Sequence, residues 1–192
     1  LPLVVLRRLD QVLAPTRDAV RQAAERFASS PEALRDQMLL RASGQGFYNT
    51  RRLDFSTLLA DPSQVARNLV GYVNGFSSNT RDIIERFKFE SQVEKLDEKN
   101  LLYLVLQKFV AVDLDPYVRN ADGSVKLDAD GLRVENVSNM QMGYIFEELI
   151  RKFSEQSNET AGEHFTPREV IRFMVDLLFA EDGEGLRRPD PT

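Results

Sequence analysis

Asp97-Glu98-Lys99-Asn100-Leu101-Leu102-Tyr103-Leu104-Val105-Leu106-Gln107-Lys108-Phe109-Val110-Ala111-Val112 reads as the most apolar helix of the chain. Leu101, Leu102, Val105, Leu106, Phe109 and Val112 recur at helical spacing and cover more than one face, with Asp97 as the expected cap. A helix apolar on more than one face belongs in the middle of a bundle. Upstream, Leu3, Leu6, Leu9 and Leu13 mark a helix that Pro15 ends, with Arg7-Arg8 as its solvated edge. Thr16 caps a second helix, through about Ala28. Ser30-Pro31 opens a third, with Leu34, Met38 and Ala42 inward and Gly44 as its stop. A loop over 44–53 carries Phe47, Tyr48, Arg51 and Arg52, a set that suits either a corner anchor or a stacking and phosphate contact. Asp61-Pro62 starts a helix with Val65, Leu69, Tyr72 and Val73 inward. Ser78 or Asn79 starts another around Ile83, Ile84 and Phe87, and the phenylalanines at 87, 89, 109, 146, 153 and 173 are assigned to the core.

Beyond Val112 the texture changes. Asp115-Pro116, Asp122-Gly123 and Asp130-Gly131 are turn dipeptides between short alternating runs, which predicts a hairpin of 124–127 against 132–135 inside a 118–135 insertion. Helix resumes at Ser138, where Ser138-Asn139-Met140-Gln141 is a capping box ahead of Met142, Ile145, Phe146, Leu149, Ile150 and Phe153. A polar connector over 156–162 leads to a last helix from Thr166. The predicted fold is mainly α: a multi-helix bundle with a small β-hairpin insertion.

Composition narrows the chemistry. The 192 residues hold 25 basic and 30 acidic side chains, for a net charge of −5, so a uniformly basic coat for phosphate is ruled out. Cysteine is absent and His164 is the one histidine, which removes thiol nucleophiles, zinc ribbons and His-rich metal sites. No apolar run reaches the roughly 18 residues of a membrane span. Leu1–Leu6 lacks the pattern of a signal peptide, and without an initiating Met the sequence reads as a piece of something longer.

The most informative segment is Gly162-Glu163-His164-Phe165-Thr166-Pro167-Arg168-Glu169. Thr166 is a hydroxyl cap, Pro167 takes the first helical position, and Glu169 completes a capping box; Val170, Met174, Leu177 and Leu178 supply the face expected to be buried. A helix start fixed in this way presents oriented amides to a carboxylate or phosphate. The same signature also begins helices that bind nothing, and Glu169 competes with an outside anion. Both readings stand at this point.

Met142-Gly143-Tyr144-Ile145-Phe146-Glu147-Glu148-Leu149-Ile150-Arg151-Lys152-Phe153, followed by the segment just quoted, resembles the modification (methyltransferase) subunit of type I restriction-modification systems. Leu1-Pro2-Leu3-Val4-Val5-Leu6-Arg7-Arg8-Leu9-Asp10, Phe47-Tyr48-Asn49-Thr50 and Tyr72-Val73-Asn74-Gly75-Phe76-Ser77 agree with it in order. The resemblance implies a helical N-terminal domain over 1–180 and a linker over 181–192 into a Rossmann-like domain that binds S-adenosylmethionine. It implies that Glu163, His164, Phe165, Thr166, Pro167 and Arg168 contact that cofactor, and that Asp190-Pro191-Thr192 opens the Asp-Pro-x-x-Gly-x-Gly-Gly hallmark; Arg187-Arg188-Pro189 departs from the apolar strand expected before it. The intact enzyme so implied methylates the adenine amino group of DNA in the cytoplasm, with a specificity subunit and a restriction subunit as partners. The Asn-Pro-Pro-aromatic motif that receives the flipped base is absent, so no catalytic residue is assigned and this stretch alone is expected to be inactive. Two rivals remain: a helical interaction module without cofactor, and a free-standing nucleic-acid-binding bundle, which the net charge disfavours.

Overall fold

The computed structural model describes residues 1–156, 166 and 168–180. It divides into two units, Leu1–Met142 and Gly143–Thr192. The helices are α1 (Pro2–Leu13), α2 (Arg17–Arg26), α3 (Glu32–Ser43), α4 (Val65–Val73), α5 (Ser78–Arg86), α6 (Phe89–Glu98), α7 (Leu102–Val110), α8 (Asn139–Gln156) and α9 (Arg168–Leu178). The mainly helical expectation holds.

In the first unit the predicted stripes converge on one core. Leu6 and Leu13 of α1, Val65, Leu69, Tyr72 and Val73 of α4, Ile84 of α5 and Leu102 and Leu106 of α7 are buried together. Phe55 and Phe76 flank the Tyr72 ring edge-on, at centroid distances of 6.1 and 5.2 Å, a geometry that favours aromatic pairs beyond their buried area.

Several local expectations are corrected. Asp97 lies inside α6, a helix not expected from the sequence, and Leu101 takes the cap position of α7. The left-handed Lys88 and Asn100, at φ 50° and 54°, break what reads as continuous polarity into separate helices. Thr16 donates to the carbonyl oxygens of Ser43 and Leu13 instead of capping α2. On α3 it is Leu39 that is buried while Leu34 is exposed, and Gly44 ends the helix at φ 63° as expected. Phe89 is core, whereas Phe87, Phe153 and Phe173 are exposed.

Arg7 and Arg8 are fasteners, not a solvated edge. Arg7 donates to the carbonyl oxygens of Val112 (2.9 Å) and Val110 (3.1 Å). Arg8 donates to those of Leu114 and Val137 and to the Asn139 side chain. Together they tie α1 to the segment after α7. Guanidinium groups serve here because carbonyls at and beyond the end of α7 lack helical donors.

That segment forms no strand among the described residues. Three single antiparallel bridges, Tyr117 with Glu135, Arg119 with Val125 and Leu127 with Arg133, join three extended stretches. Val118 donates to Val134, Val134 to Lys126 and Lys126 to Val118, each at 2.9 Å, which closes a ring of backbone hydrogen bonds. The expected hairpin keeps one rung, Leu127 with Arg133, because Val118 engages both of its would-be strands. Gly123 and Gly131, at φ 83° and 77°, make the two turns.

Candidate functional site

The second unit contains the segment that the sequence singles out. Glu163, His164, Phe165 and Pro167 lie outside the described residues, so Thr166 and Arg168 carry what can be said of it. Thr166 is exposed and Arg168 begins α9. The Arg168 Nε–H donates to Glu147 of α8, and the guanidinium lies 4.9 Å from the Tyr144 ring centroid. A Cβ on Gly143 would run into the same guanidinium. Glu147 lies one turn after the adjacent Gly143 and Tyr144 on α8, so one arginine is seated on all three. Arg168 is therefore committed to holding α9 on α8.

Thr166, Glu147, Arg168, Ile171, Arg172 and Val175 line an open depression of about 540 Å³. Arg172 makes no hydrogen bond or ion pair among the described residues; it shares this depression with Thr166 and Glu147 and lines a second one with Glu169 and Asp176. Val170, Met174, Leu177 and Leu178 share a side of α9 as expected, yet they are exposed, not buried, among the described residues. Periodicity identified the stripe, but it carries no information about what covers it.

The first unit holds a buried charged cluster that sequence reading missed. Asp10 takes hydrogen bonds from Arg17 (2.8 Å), the Tyr72 hydroxyl (3.0 Å) and Arg7 (3.3 Å), and Arg17 also reaches Asp54 at 2.9 Å. Burial pushes the Asp10 carboxyl above its ordinary value, against the pull of Arg17 and Tyr72. Asp54 is partly desolvated too, but the Thr57 amide and hydroxyl and the Arg17 charge hold it below its ordinary value. Burial and the Asp10 charge push the Tyr72 hydroxyl well above its usual range. A signal was present: Asp10 falls between Leu6 and Leu13 on the apolar face of α1, where a carboxylate requires a partner. This cluster, with Asp10 and Tyr72 buried and Arg17 and Asp54 partly so, joins α1, α2 and α4.

Among the described residues no group of acidic or histidine side chains is placed to hold a metal ion, and no helix is long and apolar enough to cross a membrane.

Comparison with known families closes on the same order of regions. The HsdM N-terminal domain model matches residues 1–109, more than half of the chain, and the N-6 DNA Methylase model matches residues 137–190, which contain α9 and Thr166. The ring of single bridges falls between the two matches. Searches of curated proteins and of solved structures gave no match. Two family models in this order, on a helical unit fastened as described, place the chain: it belongs to the family of modification subunits of type I restriction-modification systems.

Proposed function

We propose that the chain is the N-terminal part of an adenine-specific N-6 DNA methyltransferase subunit, and that residues 163–168 form one wall of its S-adenosylmethionine pocket. The supporting observation is the N-6 DNA Methylase match across 137–190, which takes in the depression where Thr166 and Arg172 present a hydroxyl and a guanidinium. That donor set fits the methionine carboxylate of the cofactor, and the amide end of α9 adds to it. When bound, S-adenosylmethionine supplies the methyl group. The residues of this chain bind and orient: Thr166 holds the helix start, Arg172 receives the carboxylate, and Arg168 keeps α9 seated on Glu147 and Tyr144. Glu163, His164, Phe165 and Pro167 complete the wall. Residues 181–192 lead into the remainder of the cofactor domain, and the helical unit helps to enclose DNA and to contact the specificity subunit, beside a restriction subunit in a cytoplasmic complex. The present stretch, which lacks an Asn-Pro-Pro-aromatic motif, transfers no methyl group by itself.

Calorimetric titration of the intact subunit with S-adenosylmethionine tests this reading. Thr166→Ser keeps a capping oxygen and is expected to bind near wild type, while Thr166→Ala loses about 1 kcal/mol of helix stability and binds more weakly. Equal affinity for wild type and the alanine variant would return the start of α9 to a purely structural role.

A further inference from the structure

A cleft of about 650 Å³ opens in the first unit between α3, the loop that follows it and the α4–α5 turn. Its walls include Arg35, Tyr48, Thr50, Ser78 and Arg81. The loop is held there by backbone pairing: Thr50 donates to the Gly75 carbonyl oxygen at 2.9 Å and Ser77 to that of Tyr48 at 3.1 Å. Gly75 is required at the crossing, since a Cβ would strike Asn49 and Arg51.

Two arginines converge on this cleft without acceptors. The Nε atoms of Arg35 and Arg81 are both shut off from solvent and both lack a hydrogen-bond partner. Neither side chain forms an ion pair among the described residues, although Glu32 and Asp36 stand on the same rim. Asp36 instead accepts the Tyr48 hydroxyl at 2.7 Å. Arg35 and Arg81 share the cleft wall with Tyr48, and the charge of each acts on its hydroxyl. Ser78 at the start of α5 lies on the same wall, where the Thr80 amide is already taken by Asn79 Oδ1 at 2.8 Å. Two guanidinium groups without acceptors on one cleft wall make a site for an oxyanion, and paired N–H donors on a planar fork match phosphate oxygens.

We propose that this cleft binds a single phosphate group through Arg35 and Arg81, and that in the methyltransferase subunit the phosphate belongs to the DNA backbone. The second half rests on the reading of the chain as part of a DNA methyltransferase; the oxyanion site does not. Such a contact positions the protein along the duplex and reads no sequence. It also reconciles a net charge of −5 with contact to DNA, because the cationic groups are local.

The test uses the full 192-residue chain, unsubstituted, with the arginine Nε–H resonances followed by nuclear magnetic resonance. Inorganic phosphate, acetate at matched ionic strength and a short DNA duplex are titrated in turn. Phosphate is expected to shift the Arg35 and Arg81 signals saturably, acetate to leave them in place, and the duplex to shift the same two and displace phosphate. In a duplex-binding measurement, joint Arg35→Gln and Arg81→Gln substitution is expected to lower the slope of log affinity against log salt by about 0.9, the loss of one phosphate. No response to phosphate, or an equal response to acetate, overturns the site. A response to phosphate but none to the duplex overturns the DNA source, and leaves S-adenosylmethionine binding by the intact subunit as a separate question.

Discussion

α4 and α9 are both amphipathic helices, and they differ in what their apolar faces meet. On α4 Val65, Leu69, Tyr72 and Val73 are enclosed with Phe55, Phe76 and residues of four other helices. On α9 Phe173 is 66% exposed and Leu178 72% exposed among the described residues. The two helices show the same 3.6-residue logic in sequence, and only one of them has its partner in view. Amphipathicity is a property of a segment; burial is a property of a pair of surfaces.

The largest effect that sharpens this contrast is a matched pair of truncations. Phe55→Ala removes a fully enclosed ring that packs against Tyr72 and the Arg7 guanidinium, and should cost about 4 kcal/mol. Phe173→Ala on α9 removes an exposed ring and should stay within about 0.5 kcal/mol. Urea unfolding of the two variants checks both. Comparable losses would mean that α9 is covered in solution and that the contrast is wrong.

Next comes the buried cluster, which gives the first unit a polar constraint without counterpart on α9. Asp10→Ala strips Arg17, Arg7 and the Tyr72 hydroxyl of their shared acceptor in a buried setting and should destabilise the fold by about 3 kcal/mol. Tyr72→Phe removes one donor from the Asp10 carboxylate and should cost about 1–2 kcal/mol. A double-mutant cycle for the two should give less than the sum, since both substitutions act on one hydrogen bond.

Much of this architecture was legible in the sequence. Val65, Leu69, Tyr72 and Val73 were readable because turn chemistry at Asp61-Pro62 sets their phase, and Asp61 does accept the Ser63 amide at 2.9 Å. What escaped was set by tertiary contacts. Phe55 lies in irregular chain with no periodicity to mark it, and Arg8 finds carbonyls more than 100 positions away. The ring of single bridges resembles a hairpin in sequence because turn dipeptides mark where the chain reverses, not how many segments then meet. Near the candidate site the start of α9 was legible through the capping pattern at Thr166. Arg172 and the Glu147 seat were not, since nothing local indicates which face of α9 meets α8.

Acid titration offers a finer probe of the buried cluster. Asp10 should take up its proton at higher pH than Asp54, because burial dominates at the first and hydrogen bonding with Arg17 at the second. The stability effects then have opposite signs. As pH falls through the raised Asp10 value, the native state gains a proton before the unfolded chain does, and Asp10 contributes a rise in stability that is complete at its unfolded value. Asp54 contributes stability present above its unfolded value and lost as pH falls through its lower native one. Carboxyl carbon resonances followed against pH give the order directly. Reversed order would mean that Arg17 belongs mainly to Asp10.

The smallest effect concerns the start of α8, where the sequence pattern and the structure agree in detail. The Ser138 amide donates to Gln141 Oε1 at 2.7 Å, and the Gln141 amide donates back to Ser138 Oγ at 3.2 Å, the reciprocal capping box that the spacing predicts. Ser138 is half-buried and Gln141 exposed, so water takes over part of each bond when a partner is removed. Ser138→Ala should therefore cost about 1 kcal/mol, and Ser138→Gly only a few tenths. Neither substitution touches Tyr72 and its neighbours or the Arg168 seat on Glu147, so the loss should appear as faster amide exchange at Gln141 with the core amides unchanged. Thr in place of Ser138 retains the oxygen and should restore protection. A loss as large as that of Phe55→Ala would show that the entry to α8 supports the core, and would set this helix with α4 in the comparison.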